Sequence, residues 1–67
     1  MATGTVKIYI PEKGYGYIAP DSGKKEVFFD NSNVETPDHR INEGQRVEFE
    51  LVLGRKGPEA IKIKTLS

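Results

Sequence analysis

What most constrains this chain is an apolar/polar alternation of period two, repeated in five short runs that are each closed by Pro, Gly or a polar turn. "TVKIYI" (5–10) sets Val6, Ile8 and Ile10 against Thr5, Lys7 and Tyr9, and Pro11 ends it. "GYGYIA" (14–19) follows after "PEK" and is closed by Pro20. "EVFFD" (26–30) is a third run, after the turn "DSGKK", in which Gly23 supplies a left-handed position. "RVEFELVL" (46–53) puts Val47, Phe49, Leu51 and Leu53 on one side. After the turn "GRKGP", "EAIKIKTL" (59–66) places Ile61 and Ile63 inward and Lys62 and Lys64 outward. Residues 31–45 are polar and read as a long loop with one helical turn. Ser32 with Glu35 suggests a capping box there, and Thr36-Pro37 a second turn.

Five strands with three tight links and one long link leave exposed edges unless the sheet closes on itself. An all-β, five-stranded antiparallel Greek-key barrel of the oligonucleotide-binding (OB) type meets that need. An SH3-like barrel satisfies the strand count equally well. A chain of 67 residues allows one domain, 1–67, with one small core. There is no Cys and a single His, so no metal site, disulfide or thiol nucleophile is expected, and no cofactor. No apolar run is long enough for a signal peptide or a membrane span, which points to a cytoplasmic protein. Ten basic residues balance ten acidic ones, so non-specific attraction to nucleic acid is weak unless one face is basic.

"KGYGYIAP" (13–20) is the unusual stretch. Gly14, Gly16 and Ile18 share one parity; Tyr15, Tyr17 and Ala19 share the other. Glycines facing inward let the strand coil tightly, which turns the tyrosines outward. In the third strand Glu26, Phe28 and Asp30 share a parity, and the two acids mark that side as solvent. Phe28 then stands outside beside Tyr15 and Tyr17. Unpaired bases stack on such rings for about 1–3 kcal/mol each, whatever the base. Lys7, Lys13 and Lys56 are the candidates to take phosphates at the rim. The plainer reading is that the tyrosines cover the barrel as residues of high strand propensity.

These residues resemble the cold-shock domain family. "GTVK", "EKGYGYIAPDSGKKEVFF", "NEGQRVEFELVLGRKGPEAIKI" follow in family order along essentially the whole chain. Lys13-Gly14-Tyr15-Gly16-Tyr17-Ile18 is similar to the family's first ribonucleoprotein motif, and Val27-Phe28 to the start of the second. The resemblance implies an OB-type barrel that binds single-stranded RNA or DNA, acts as an RNA chaperone or regulator, and is not an enzyme. It implies contact roles for Lys7, Lys13, Tyr15, Tyr17, Phe28 and Lys56. A monomer is expected, with a dimer as the alternative.

The departures fall on the binding face. Where the family has Lys-Trp-Phe-Asn, this chain has Lys7-Ile8-Tyr9-Ile10; where it has Val-Phe-Val-His-Phe, this chain has Val27-Phe28-Phe29-Asp30-Asn31. An aromatic residue common in the long loop falls near Asp38 or His39. Losing two stacks removes roughly 2–6 kcal/mol, so reduced affinity is expected. Strict alternation turns Tyr9 outward and Ile8 inward, whereas the family pattern puts the Ile8 position on the binding face; a bulge would reconcile them. Tyr9 is therefore carried as a candidate contact. A barrel that has lost nucleic acid and binds a protein, or itself, through the same patch is the alternative function.

Other signals lead nowhere specific. "GYGYIA" fits a dinucleotide fingerprint, but Pro20 and a turn follow where a helix is needed. His39 reads as a solvated loop residue. Glu48 and Glu50 face strand five's lysines and read as cross-strand pairs rather than catalytic acids. Lys24 and Lys25 read as a solvated turn.

Overall fold

The computed structural model describes residues 1–67 apart from Asp38, Lys56 and Ser67. It contains β1 (Ala2–Ile10), β2 (Tyr15–Pro20), β3 (Val27–Asp30), a 3₁₀ turn (Asn31–Asn33), β4 (Arg46–Gly54) and β5 (Gly57–Thr65). The strands close into a barrel in the order β1-β2-β3-β5-β4. Every neighbouring pair is antiparallel except β3–β5, which run parallel over Phe28↔Glu59 and Phe29↔Ala60. The five-stranded closed barrel is the one expected, and its single parallel pair is a matter of counting. An odd number of strands closed in a ring cannot alternate direction all the way round.

Alternation sets the core in the first four strands: Val6, Ile18, Val27, Phe29, Val47 and Phe49 point inward and are buried, and β5 adds buried Ala60 and Ile63. The long link is not merely polar cover. Its branched residues Val34 and Ile41 are buried too, and Val34 bridges to Ile63. The helical turn forms where expected, but without the capping box. Ser32 sits inside the turn and donates back to Asp30 at 3.2 Å, while the Val34 N–H closes it on the Asn31 carbonyl. The second turn starts at Thr36, whose carbonyl accepts the His39 N–H at 3.0 Å and whose Oγ1 accepts the Arg40 N–H at 3.1 Å.

Two expectations about facing residues change. On β5 the register slips against β4 between Glu48 and Glu50, with Lys62 at φ 52° as the extra residue. The slip inverts alternation, so Ala60 and Ile63 are buried while Ile61 is only partly so. On β4, Leu51 and Leu53 share the side of Val47 and Phe49, yet they are 52% and 87% exposed. The β4–β5 hairpin runs past the point where β1 stops pairing with β4, so among the described residues its inner face there is left largely open.

At the other end, Thr3 Oγ1 donates to Asp21 at 2.7 Å and the Arg46 guanidinium grips both Asp21 oxygens at 2.6 Å. Arg46 also donates to Thr5 Oγ1. This latch ties β1, the β2–β3 turn and β4 together. It holds the Asp21 carboxyl at a pKa of about 2, chiefly through the Arg46 hydrogen bonds and then through Thr3.

Candidate nucleic-acid interface

The outer face of β1, β2 and β3 is assembled by two local devices. The first is glycine in β2. A Cβ at Gly16 would run into the Ile8 carbonyl oxygen and lie 2.9 Å from the Phe29 ring, so only glycine lets β1 and β2 close over that ring. Gly14 lies just outside the strand, at φ 76°, ending the 11–14 turn; its carbonyl accepts the Asn31 N–H at 2.8 Å. The second device is a bulge in β1. Val6 pairs with Ile18 and Ile8 with Tyr17, so Lys7 is the extra residue.

The bulge decides which side chains face out. Residues opposite one another in a ladder point the same way. Ile8, Tyr17, Phe28 and Glu59 therefore form one outward row across β1, β2, β3 and β5, and Ile10, Tyr15 and Asp30 a second. Ile8 is 40% exposed. Tyr9 is turned inward, correcting the strict-alternation expectation: its ring stacks on Phe29 at 5.9 Å and 16° and packs against the core. Its backbone N–H donates to the Glu43 carboxylate at 3.1 Å. Tyr9 supports the face from beneath rather than lining it.

Tyr15, Tyr17 and Phe28 come together. Ring centres lie 5.6 Å apart for Tyr15–Phe28, 5.9 Å for Tyr17–Phe28 and 6.4 Å for Tyr15–Tyr17, with planes at 35°, 73° and 90°. Each ring is in contact with the other two. All three are partly exposed. Flat rings held at the surface of a paired sheet offer planes on which flat, unpaired bases stack.

The charges around the rings are mixed. Lys13 is exposed in the turn before Tyr15. Lys7 is exposed on the bulge, but its Nζ sits 2.8 Å from the Glu26 carboxylate, whose hydrogen bond and charge raise the lysine's pKa. Asp30 stands in the row of Tyr15. Lys56 lies outside the described residues. Glu26 is the member that sequence reasoning missed as a partner for Lys7, although its parity with Phe28 already placed it on this face. Glu48 and Glu50 belong elsewhere: Glu48 faces Lys64, and Glu50 lies 3.7 Å from Lys62. His39 is exposed, with Nδ1 2.9 Å from the Val34 carbonyl. No group of His, Cys, Asp and Glu among the described residues has the arrangement of a metal site.

Residues 2–66 match the model of the 'Cold-shock' DNA-binding domain. The chain is 47% identical over 64 residues to the cold shock protein ScoF of Streptomyces coelicolor, covering 94% of this chain and 96% of that protein. It is 43% identical over 67 residues to the cold shock-like protein CspA of Bordetella pertussis, covering 98% and 100%. Its backbone superposes on the solved structure titled "drosophila Unr CSD456" with a TM-score of 0.84 at 24% identity; the match takes in 98% of this chain and 26% of that longer one, and it bears on the fold.

Proposed function

Because this chain belongs to the cold-shock domain family, whose members are nucleic-acid-binding proteins and not enzymes, we propose that it binds short single-stranded RNA or DNA by stacking bases on Tyr15, Tyr17 and Phe28. The observation that carries this reading is the mutual contact of those three rings on the outside of β2 and β3. Ile8 adds apolar surface beside Tyr17 but no plane on which to stack. Lys13 and Lys7 take phosphates at the rim.

Affinity is lower than a full set of rings would give. Ile8 and Asp30 each stand where the family pattern has a ring, and a stack is worth about 1–3 kcal/mol. Weak, base-tolerant binding suits a monomeric chaperone in the cytoplasm that holds transcripts unpaired and releases them readily. The test is a titration with heptameric oligo-dT at low and moderate salt, followed by tyrosine fluorescence. Saturable quenching is expected from Tyr15 and Tyr17. Phe28→Ala should weaken binding by about 5- to 150-fold, the equivalent of one stack. Absence of quenching even at low salt would overturn the reading and turn the search to a protein partner for the same face.

A further inference from the structure

A second apolar surface lies at the barrel end where the β4–β5 hairpin overhangs. β1 pairs with β4 only from Thr5↔Arg46 to Ala2↔Phe49. From Glu50 to Gly54, β4 is paired with β5 on one edge, and its other edge has no strand beside it among the described residues. Unpaired N–H and C=O groups on a strand edge are a template for another strand. Beside that edge opens a groove of about 460 Å³. Val27 and Phe49 form its buried floor, and Ala2, Pro20, Leu51 and Pro58 its walls. Lys24 and Lys25 also line it. Both lysines are exposed, and no acid among the described residues forms a salt bridge with either.

We propose that this edge and groove dock an extended peptide segment that carries apolar and acidic residues together on its groove-facing side, at every second position. The peptide continues the line of β1 and adds to the free edge of β4 at Leu51–Gly54. Its main chain pairs with β4, and every second side chain enters the groove, the apolar ones beside Leu51 and the acidic ones beside Lys24 and Lys25. This is strand addition, in which backbone bonds give affinity and pockets for alternate side chains give specificity.

The observations favour a peptide over other occupants. Apart from Ser22 and the lysines the described lining is apolar, and its one aromatic ring, Phe49, is fully buried, so a base finds no aromatic plane to stack on. A second copy joined through the same edge would bring Leu51 and Leu53 but no acid to the groove lysines, since the β4 segment 51–54 carries none. The unpaired lysines select against a basic segment.

The test uses the isotope-labelled protein and the blocked peptide Leu-Thr-Val-Thr-Glu-Thr-Glu, whose apolar and acidic residues share one face, with a control carrying Lys in place of each acid. Saturable shifts of the Leu51, Val52, Leu53 and Gly54 amides and the Leu51 methyls are expected with the acidic peptide only. The double variant Lys24→Glu, Lys25→Glu should bind it about tenfold more weakly; an unchanged amide spectrum outside the 21–26 turn shows that the fold is intact. The proposal is overturned by any of four results: no saturable shift at millimolar peptide, equal binding of the lysine control, oligo-dT shifting the groove in step with the rings, or a concentration-dependent dimer that protects these amides without peptide.

Discussion

The ring face and the hairpin groove are both apolar and both exposed, yet they are built in opposite ways. The rings stand on two strands, β2 and β3, each paired on both sides, over the buried Phe29 and the partly buried Tyr9 stacked on it. The groove lies under a hairpin that has outrun its partners, with one edge open. The first surface offers planes and a finished backbone, and so suits flat ligands. The second offers aliphatic walls and unfinished backbone, and so suits an extended chain. Apolar exposure alone does not identify a ligand; what the backbone beneath it has left unpaired does.

The largest effect that follows concerns how deeply each surface is rooted. Gly16→Val forces atoms into the Ile8 backbone carbonyl and the ring of Phe29, which is fully buried. The cost should reach about 3 kcal/mol, the top of the usual overpacking range. That is most of the roughly 3–5 kcal/mol a core of this size supplies. By contrast Leu53→Ser, at a position 87% exposed, should change stability by no more than about 0.5 kcal/mol. Urea unfolding of the two variants measures both. Equal costs would break the contrast, because the overhang would then be as much a part of the core as the ring face is.

The two surfaces were also unequally legible in the sequence. Parity in "GYGYIA" and "EVFFD" put Tyr15, Tyr17 and Phe28 on one outer face because β2 and β3 keep strict alternation. Alternation failed where a single extra residue inverted it, at Lys7 in β1 and at Lys62 in β5. Neither position carries the Gly that would announce a bulge, so alternation alone leaves the facing of Tyr9 open and turns Ile61 inward. The leucines of β4 had the right parity but the wrong burial. Burial there depends on where β1 stops, a long-range fact that no window of β4 contains. Val34 and Ile41 were legible in principle, as branched apolar residues in a polar stretch whose only use is a core.

Acid should separate the two surfaces next. The Asp21 pKa of about 2 lies below its usual value of 3.8, so the latch with Arg46 and Thr3 contributes stability above about pH 4 and loses it as pH falls towards 2. The latch holds the turn that carries Lys24 and Lys25, not the rings. Between pH 4 and 2, hydrogen exchange should therefore quicken in residues 21–26 before it quickens at Tyr17 or Phe28. Asp21→Asn should be less stable than the parent at pH 6, and the gap should close near pH 2. A gap that persists unchanged at pH 2 would mean that the carboxylate's charge contributes nothing to the latch.

The smallest effect tests whether the ring face is limited by its own charges. Glu26 holds Lys7 at 2.8 Å on the solvent side of β1, so a phosphate arriving at Lys7 must displace a carboxylate already there. Glu26→Gln removes that competitor and one negative charge from the face, at an exposed position where the fold has little at stake. Oligo-dT affinity should rise about two- to fivefold, the scale of one exposed charge pair. Its dependence on salt should steepen, because a freed Lys7 adds one phosphate contact and so raises the slope by somewhat less than one. The peptide groove should not respond, since Lys24 and Lys25 have no such acid bound to them. Weaker oligo-dT binding in the variant would mean the reverse. Glu26 would then be holding Lys7 in the position from which it reaches the strand, and the pair would belong to the interface as a unit.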